Sequence, residues 1–121
     1  MNKKILIVED YADARSFMKT LVEGCGYKVL EASSGEEAIS IARRECPNLI
    51  LMDLEMPDMD GLTAAQIIRE FEISEEVPII AVTAYGIDDT AATAAGCNDL
   101  IFKPVEISEI ELVLDKYLIQ N

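Results

Sequence analysis

Five short, mostly apolar runs recur along the chain, and most do not alternate apolar with polar residues. They are Ile5-Leu6-Ile7-Val8, Lys28-Val29-Leu30, Leu49-Ile50-Leu51-Met52, Ile79-Ile80-Ala81-Val82 and Leu100-Ile101-Phe102. A strand with one wet face alternates. A continuous apolar run marks a strand buried on both faces, as in a parallel sheet covered by helices. The segments between these runs carry the helical period. Ala14, Phe17, Met18, Leu21, Val22 and Cys25 predict one buried stripe, with Gly24 and Gly26 as its stop. Ser34-Gly35-Glu36-Glu37 has capping-box spacing and opens a second helix through Ala38, Ile41 and Ala42, ended by Pro47. Leu62, Ala65, Ile68 and Phe71 mark a third helix. Asp88 is placed to cap a fourth, Ala91 to Ala95, closed by Gly96. Ile107, Ile110, Leu114 and Tyr117 mark a fifth. Strand and helix thus alternate five times. Right-handed crossovers turn that order into a doubly wound α/β sheet with helices on both faces.

The 121 residues fit one domain, and 50% hydrophobic content suffices for a core without disulfides or a structural metal. No linker, repeat or low-complexity tract interrupts the pattern. The expectation is a single domain over 1–121 with no output domain. A formal net charge of -13 opposes binding to nucleic acid, whose phosphates it would repel. Acidity of this kind also serves plain solubility and names no partner. Cys25, Cys46 and Cys97 are odd in number and lack CxxC spacing, so they read as small buried hydrophobes in a reducing compartment. The apolar run after Lys3-Lys4 ends at Glu9, too soon for a signal peptide or a membrane span. A cytoplasmic protein without membrane insertion is expected. Histidine is absent, so any chemistry rests on carboxylates, hydroxyls, lysine and backbone.

In open α/β sheets, sites form beyond the carboxyl ends of the strands. Those ends read Glu9-Asp10 after the first run, Asp53 after the third, Thr83-Ala84 after the fourth and Lys103-Pro104 after the fifth. The second gives only Glu31-Ala32-Ser33. Each residue alone has an ordinary explanation. Asp10 fits a helix N-cap, Asp53 a loop, Thr83 a structural hydroxyl, and Lys103 a surface lysine. All of them at one sheet edge is a different matter. Clustered carboxylates repel and raise each other's pKa, and a hard divalent cation relieves the repulsion. Asp53 is then a nucleophile able to form an aspartyl-phosphate, Thr83 a donor to a phosphoryl oxygen, and Lys103 a counter-charge.

With these residues in view, the chain resembles the receiver domains of two-component response regulators, the family of the chemotaxis regulator. The matching segments are Ile5-Leu6-Ile7-Val8-Glu9-Asp10, Met52-Asp53-Leu54-Glu55-Met56-Pro57 with Gly61, Val82-Thr83-Ala84-Tyr85, Ala95-Gly96-Cys97 and Phe102-Lys103-Pro104. They occur in family order and span essentially the whole chain. The resemblance implies the flavodoxin-like fold, a five-stranded parallel sheet of order 2-1-3-4-5. It implies that Asp53 is the phosphoacceptor, with Asp10 a direct Mg²⁺ ligand, Glu9 a second acidic residue acting through water, and the Glu55 carbonyl a backbone ligand. Thr83 matches the switch hydroxyl and Lys103 the lysine that pairs with the phosphoryl group. The Lys103-Pro104 peptide matches one that is usually cis.

The phosphoryl group is then expected from a sensor histidine kinase or a histidine-phosphotransfer protein. Phosphorylation would shift the fourth strand, fourth helix and fifth strand, and the face of the fourth helix, fifth strand and fifth helix is expected to meet a downstream target. Such a protein is not a conventional enzyme, although it assists its own phosphorylation and autodephosphorylation. Glu55 and Tyr85 match positions that tune the latter. The Glu55 side chain is also placed to repel an incoming phosphoryl group or to contact Lys103. One departure stands out: the usual aromatic three positions before the lysine is Leu100 here. Phe102, next to Lys103, points to the opposite face from it and is not expected to replace that aromatic directly.

Three alternatives differ in class. A haloacid-dehalogenase-type phosphatase needs an Asp two residues after its nucleophile, where this chain has Glu55. A flavin-binding module needs a Ser/Thr/Gly-rich phosphate loop, and Glu9-Asp10-Tyr11-Ala12-Asp13 is acidic. A phosphorylation-independent receiver-like scaffold gains support from Leu100 and loses it to the intact Asp53, Asp10, Thr83 and Lys103 set.

Overall fold

A computed structural model of the chain describes residues 3–57, 59–71, 76–84 and 89–119. Strand and helix alternate as β1 (Lys4–Val8), α1 (Ala12–Gly24), β2 (Lys28–Ala32), α2 (Gly35–Glu45), β3 (Leu49–Asp53), α3 (Gly61–Arg69), β4 (Ile79–Thr83), α4 (Asp89–Ala94), β5 (Asp99–Phe102) and α5 (Ile107–Leu118). The strands form one parallel sheet of order β2-β1-β3-β4-β5. The chain therefore reverses direction of winding between β1 and β3, and their carboxyl ends flank the natural crevice.

The apolar runs are continuous because both faces of the sheet are covered. Ile5, Ile7, Leu49, Leu51, Ile80 and Val82 pack with Met18 and Val22 of α1 and with Ile110 and Leu114 of α5. Leu6, Val8, Ile50, Met52, Ile79 and Ala81 face the other way, against α2, α3 and Ala92 of α4. Every residue of β3 and β4 is buried. Each fully buried Leu or Ile of these two central strands contributes about 1.5–3 kcal/mol. That sum fixes where their carboxyl ends, and hence the site, must lie.

The helix boundaries follow local chemistry. The Ser34 hydroxyl accepts the Glu37 N–H at 3.1 Å, and the Glu37 carboxylate accepts the Ser33 N–H at 2.6 Å. The capping box thus closes one residue earlier than its usual form. α2 stops on Cys46 in the left-handed conformation, φ 48°, one residue before Pro47. Asp60 caps α3 by accepting the Thr63 N–H at 2.9 Å.

Some expectations need correction. Phe17 and Ile107, assigned to buried stripes, are 54% and 42% exposed. Both stand at the margin of an apolar stripe that its neighbours already fill, Met18 and Val22 on α1 and Ile110 and Leu114 on α5. Phe71 lies beyond α3, which ends at Arg69, although it still packs on the core. Of the three cysteines only Cys97 is buried; Cys25 is half-buried and Cys46 exposed at its helix end. Asp88 and Tyr85 lie outside the described residues.

Candidate functional site

Among the described residues the buried polar or charged side chains are Glu9, Asp53 and Thr83. Glu9 directly follows β1, and Asp53 and Thr83 are the last residues of β3 and β4. Buried charge is tolerated only where it is paired or coordinates something. Their concentration at one edge of the sheet therefore defines the site.

Lys103, the first residue after β5, closes this edge. Its Nζ lies 3.3 Å from Asp53 Oδ1 and 3.4 Å from Glu9 Oε1. The Lys103-Pro104 peptide is cis. Burial pulls the lysine's pKa down, but the Asp53 and Glu9 carboxylates outweigh it and hold the ammonium above its ordinary value. The Glu9 carboxyl is pushed up, chiefly by burial and then by the adjoining Asp53. One cation thus serves two buried carboxylates.

Two oxygens remain. Glu9 Oε1 and Asp53 Oδ2 are buried and accept no hydrogen bond, and Glu9 Oε1 has only its 3.4 Å ion pair with Lys103. The other two oxygens are occupied: Glu9 Oε2 by the Tyr11 N–H at 3.1 Å, and Asp53 Oδ1 by the Glu55 N–H at 3.0 Å. Ligand oxygens from Glu9, Asp10 and Asp53 lie within 4.8 Å of one another. Hard, unsatisfied carboxylate oxygens at that spacing fit an oxygen-seeking divalent cation such as Mg²⁺. Asp10 is exposed at this cluster and does not cap α1, whose N-cap is Tyr11 with no side-chain bond. The ordinary explanation for Asp10 therefore fails.

The structure brings together every residue singled out at the strand ends. Glu55, expected to oppose an incoming anion or to touch Lys103, directs its carboxylate to β4 rather than to Lys103. Its Oε1 accepts the Ala84 N–H at 2.7 Å and the Thr83 hydroxyl at 3.3 Å. Thr83 registers opposite Phe102 on β5. Phe102 and Leu100 line one cavity of about 470 Å³ beside Ala92 and Cys97. The position of Leu100 therefore borders open space.

Sequence reasoning missed Arg15. Its Nη1 donates to the Glu9 carbonyl at 2.8 Å, and its Nε pairs with Glu31 at 3.2 Å. The guanidinium thereby ties the β1–α1 turn to the end of β2. An arginine five residues after an acidic pair was the available signal, but its partner on β2 is visible only in the fold. Also missed was a recess of about 270 Å³ beside Lys103, walled by Phe17, Met18, Pro104 and Val105.

A parallel sheet in this order, with a buried acidic crevice and one lysine, defines a receiver. The profile of the response regulator receiver domain matches residues 5–115, and the chain belongs to that family. It is a phosphoacceptor module of two-component signalling rather than a member of a classical enzyme family. The polar-differentiation response regulator DivK of Brucella ovis is 33% identical over 120 residues, 98% of both chains. The receiver domain of a sensor histidine kinase from Pseudomonas aeruginosa, solved with magnesium coordinated in its active-site cleft, superposes with a TM-score of 0.91. It is 31% identical, with 99% of this chain and 100% of that one covered. The receiver domain of Ssk1 from Saccharomyces cerevisiae, crystallised with the histidine phosphotransfer protein Ypd1, gives a TM-score of 0.88 at 29% identity. That match covers 96% of this chain and 88% of that one. No helix among the described residues is long and apolar enough to cross a membrane.

Proposed function

We propose that Asp53 takes a phosphoryl group from a partner's phosphohistidine and that Glu9, Asp10, Asp53 and the Glu55 carbonyl hold the Mg²⁺ this requires. The observation carrying the reading is the pair of buried carboxylate oxygens, on Glu9 and Asp53, that accept no hydrogen bond in a crevice where Lys103 is the nearby cation. When bound there, Mg²⁺ supplies positive charge that lets carboxylate and phosphoryl oxygens approach one another. Asp53 presents a carboxylate oxygen to phosphorus, and the phosphorus–nitrogen bond to the donor histidine breaks. The electron pair of that bond leaves with the partner's imidazole. Lys103 is held by Asp53 and Glu9 where it pairs with the added charge, and Thr83 donates its hydroxyl to a phosphoryl oxygen. Water attack on the same phosphorus would return the Asp53 carboxylate and release inorganic phosphate.

The donor has to come from a sensor histidine kinase or a histidine-phosphotransfer protein, since the chain contains no histidine. The co-crystal of the Ssk1 receiver with Ypd1 supports such a partner. The recess beside Lys103, with Phe17 54% exposed at its wall, offers apolar contact within reach of the site. The face formed by α4, β5 and α5 is the proposed surface for a downstream target. Leu112, 70% exposed on α5, supports it. A cytoplasmic location follows from the donor chemistry.

The test uses a phosphorylated histidine-phosphotransfer protein as donor. Label is expected to pass to this chain in Mg²⁺, to fall by at least about 100-fold with Asp53→Asn, and to cease in chelator. Equal transfer to Asp53→Asn would sink the assignment.

A further inference from the structure

Glu55 is exposed, yet it touches both halves of the switch. Through its backbone N–H it contacts Asp53 Oδ1 at 3.0 Å. Through its carboxylate it takes the Ala84 N–H at 2.7 Å and the Thr83 hydroxyl at 3.3 Å. β3 and β4 are neighbours in register, and the Leu54 N–H donates to the Val82 carbonyl at 3.0 Å. A group projecting from the Asp53 side chain and the Glu55 carboxylate therefore compete for the same end of β4. Their chemistry matches as well. A carboxylate oxygen and a phosphoryl oxygen are both anionic acceptors, and charge-assisted bonds to N–H and O–H donors are the strong ones.

We propose that the Glu55 carboxylate is an internal substitute for a phosphoryl oxygen. It occupies the Thr83 hydroxyl and Ala84 N–H in the unphosphorylated chain, and a phosphoryl group on Asp53 has to displace it. This rests on the reading of Asp53 as phosphoacceptor. Glu55 is accordingly a positioning residue. It holds Thr83 and Ala84 in one arrangement until a stronger anion arrives, and its release is part of what phosphorylation changes. The contact sets a threshold, since each phosphorylation event gives up two hydrogen bonds before it gains new ones. Glu55→Ala removes both acceptor and charge. Glu55→Gln removes the charge but leaves an acceptor oxygen at the same reach. The exposure of the residue makes either replacement compatible with folding.

The experiment follows the Ala84 amide by ¹H–¹⁵N spectroscopy of the full chain, free and titrated with beryllofluoride, a phosphoryl analogue, in Mg²⁺. In the free chain the Ala84 resonance is expected to move upfield in Glu55→Ala and much less in Glu55→Gln. Beryllofluoride is expected to bind Glu55→Ala about five- to tenfold more tightly than the parent, the worth of roughly one net hydrogen bond. Glu55→Gln should fall between them. An unmoved Ala84 amide in Glu55→Ala, or unchanged affinity while the parent binds well, overturns the substitution and leaves the phosphoacceptor reading intact. Equal tightening in both variants makes Glu55 a source of repulsion only and also overturns it. Failure of the parent to bind the analogue at all, matching Asp53→Asn, overturns both.

Discussion

A Cβ placed on Gly61 would stand 2.3 Å from the Asp53 carbonyl oxygen and 2.8 Å from Leu54 Cα. Those neighbours are backbone and cannot swing aside. The first residue of α3 thus supports the turn that follows the nucleophile, and only glycine permits the approach. Gly61→Ala is expected to destabilise the protein by about 1–3 kcal/mol, the usual cost of overpacking, and to slow phosphoryl uptake by displacing Asp53. Urea unfolding alongside an uptake assay checks both; a variant as stable and as reactive as the parent would contradict the close packing. At this scale the sequence was most informative about position and least about direction. Asp53, Thr83 and Lys103 were readable because each ends a buried run, where a polar residue has to be doing something. The Glu55 carboxylate was not, because a loop side chain's direction is set by donors on another strand. Asp10 shows the converse. Its spacing suited an N-cap, but Glu9 meets the Tyr11 N–H and leaves Asp10 uncommitted.

Between elements, β5 and α5 are joined by a polar cluster on the proposed target face. Asp99 Oδ2 accepts from Lys116 Nζ at 3.1 Å and from the Tyr117 hydroxyl at 3.2 Å. Burial alone would raise the Asp99 carboxyl, but these donors and the Leu100 N–H outweigh it and hold its pKa below the ordinary 3.8. A depressed carboxylate stabilises the folded state fully above its unfolded value, and that stability is lost as pH falls through the folded one. The expectation is a loss confined to the region below about pH 4. Asp99→Asn should flatten the melting temperature there while lowering it slightly at neutral pH. An unchanged acid limb in Asp99→Asn would contradict the linkage. Element types and order were legible throughout, because continuous apolar runs leave little choice but a covered parallel sheet. The edges of the helical stripes were less so. Phe17 and Ile107 satisfy the period of their helices, but the sheet is too narrow to cover every position of a stripe, and such marginal residues stay wet.

Across the molecule, two apolar layers on either side of one sheet hold four strand ends in a single crevice, and the charge gathers where the layers stop. The order β2-β1-β3-β4-β5 came from resemblance, since apolar runs alone fix that strands are parallel and buried but not which are neighbours. Once that order is given, Glu9, Asp53, Thr83 and Lys103 fall together without further assumption. The central claim is that this crevice makes Asp53 the phosphoacceptor. Its most direct test is chemical trapping. The chain is incubated with acetyl phosphate and Mg²⁺, reduced with borohydride, which converts an acyl phosphate to an alcohol, and digested for peptide mass spectrometry. Homoserine at position 53, appearing only with Mg²⁺, is the predicted result. Homoserine at Asp10, Asp60 or any other aspartate with position 53 unchanged would contradict the account.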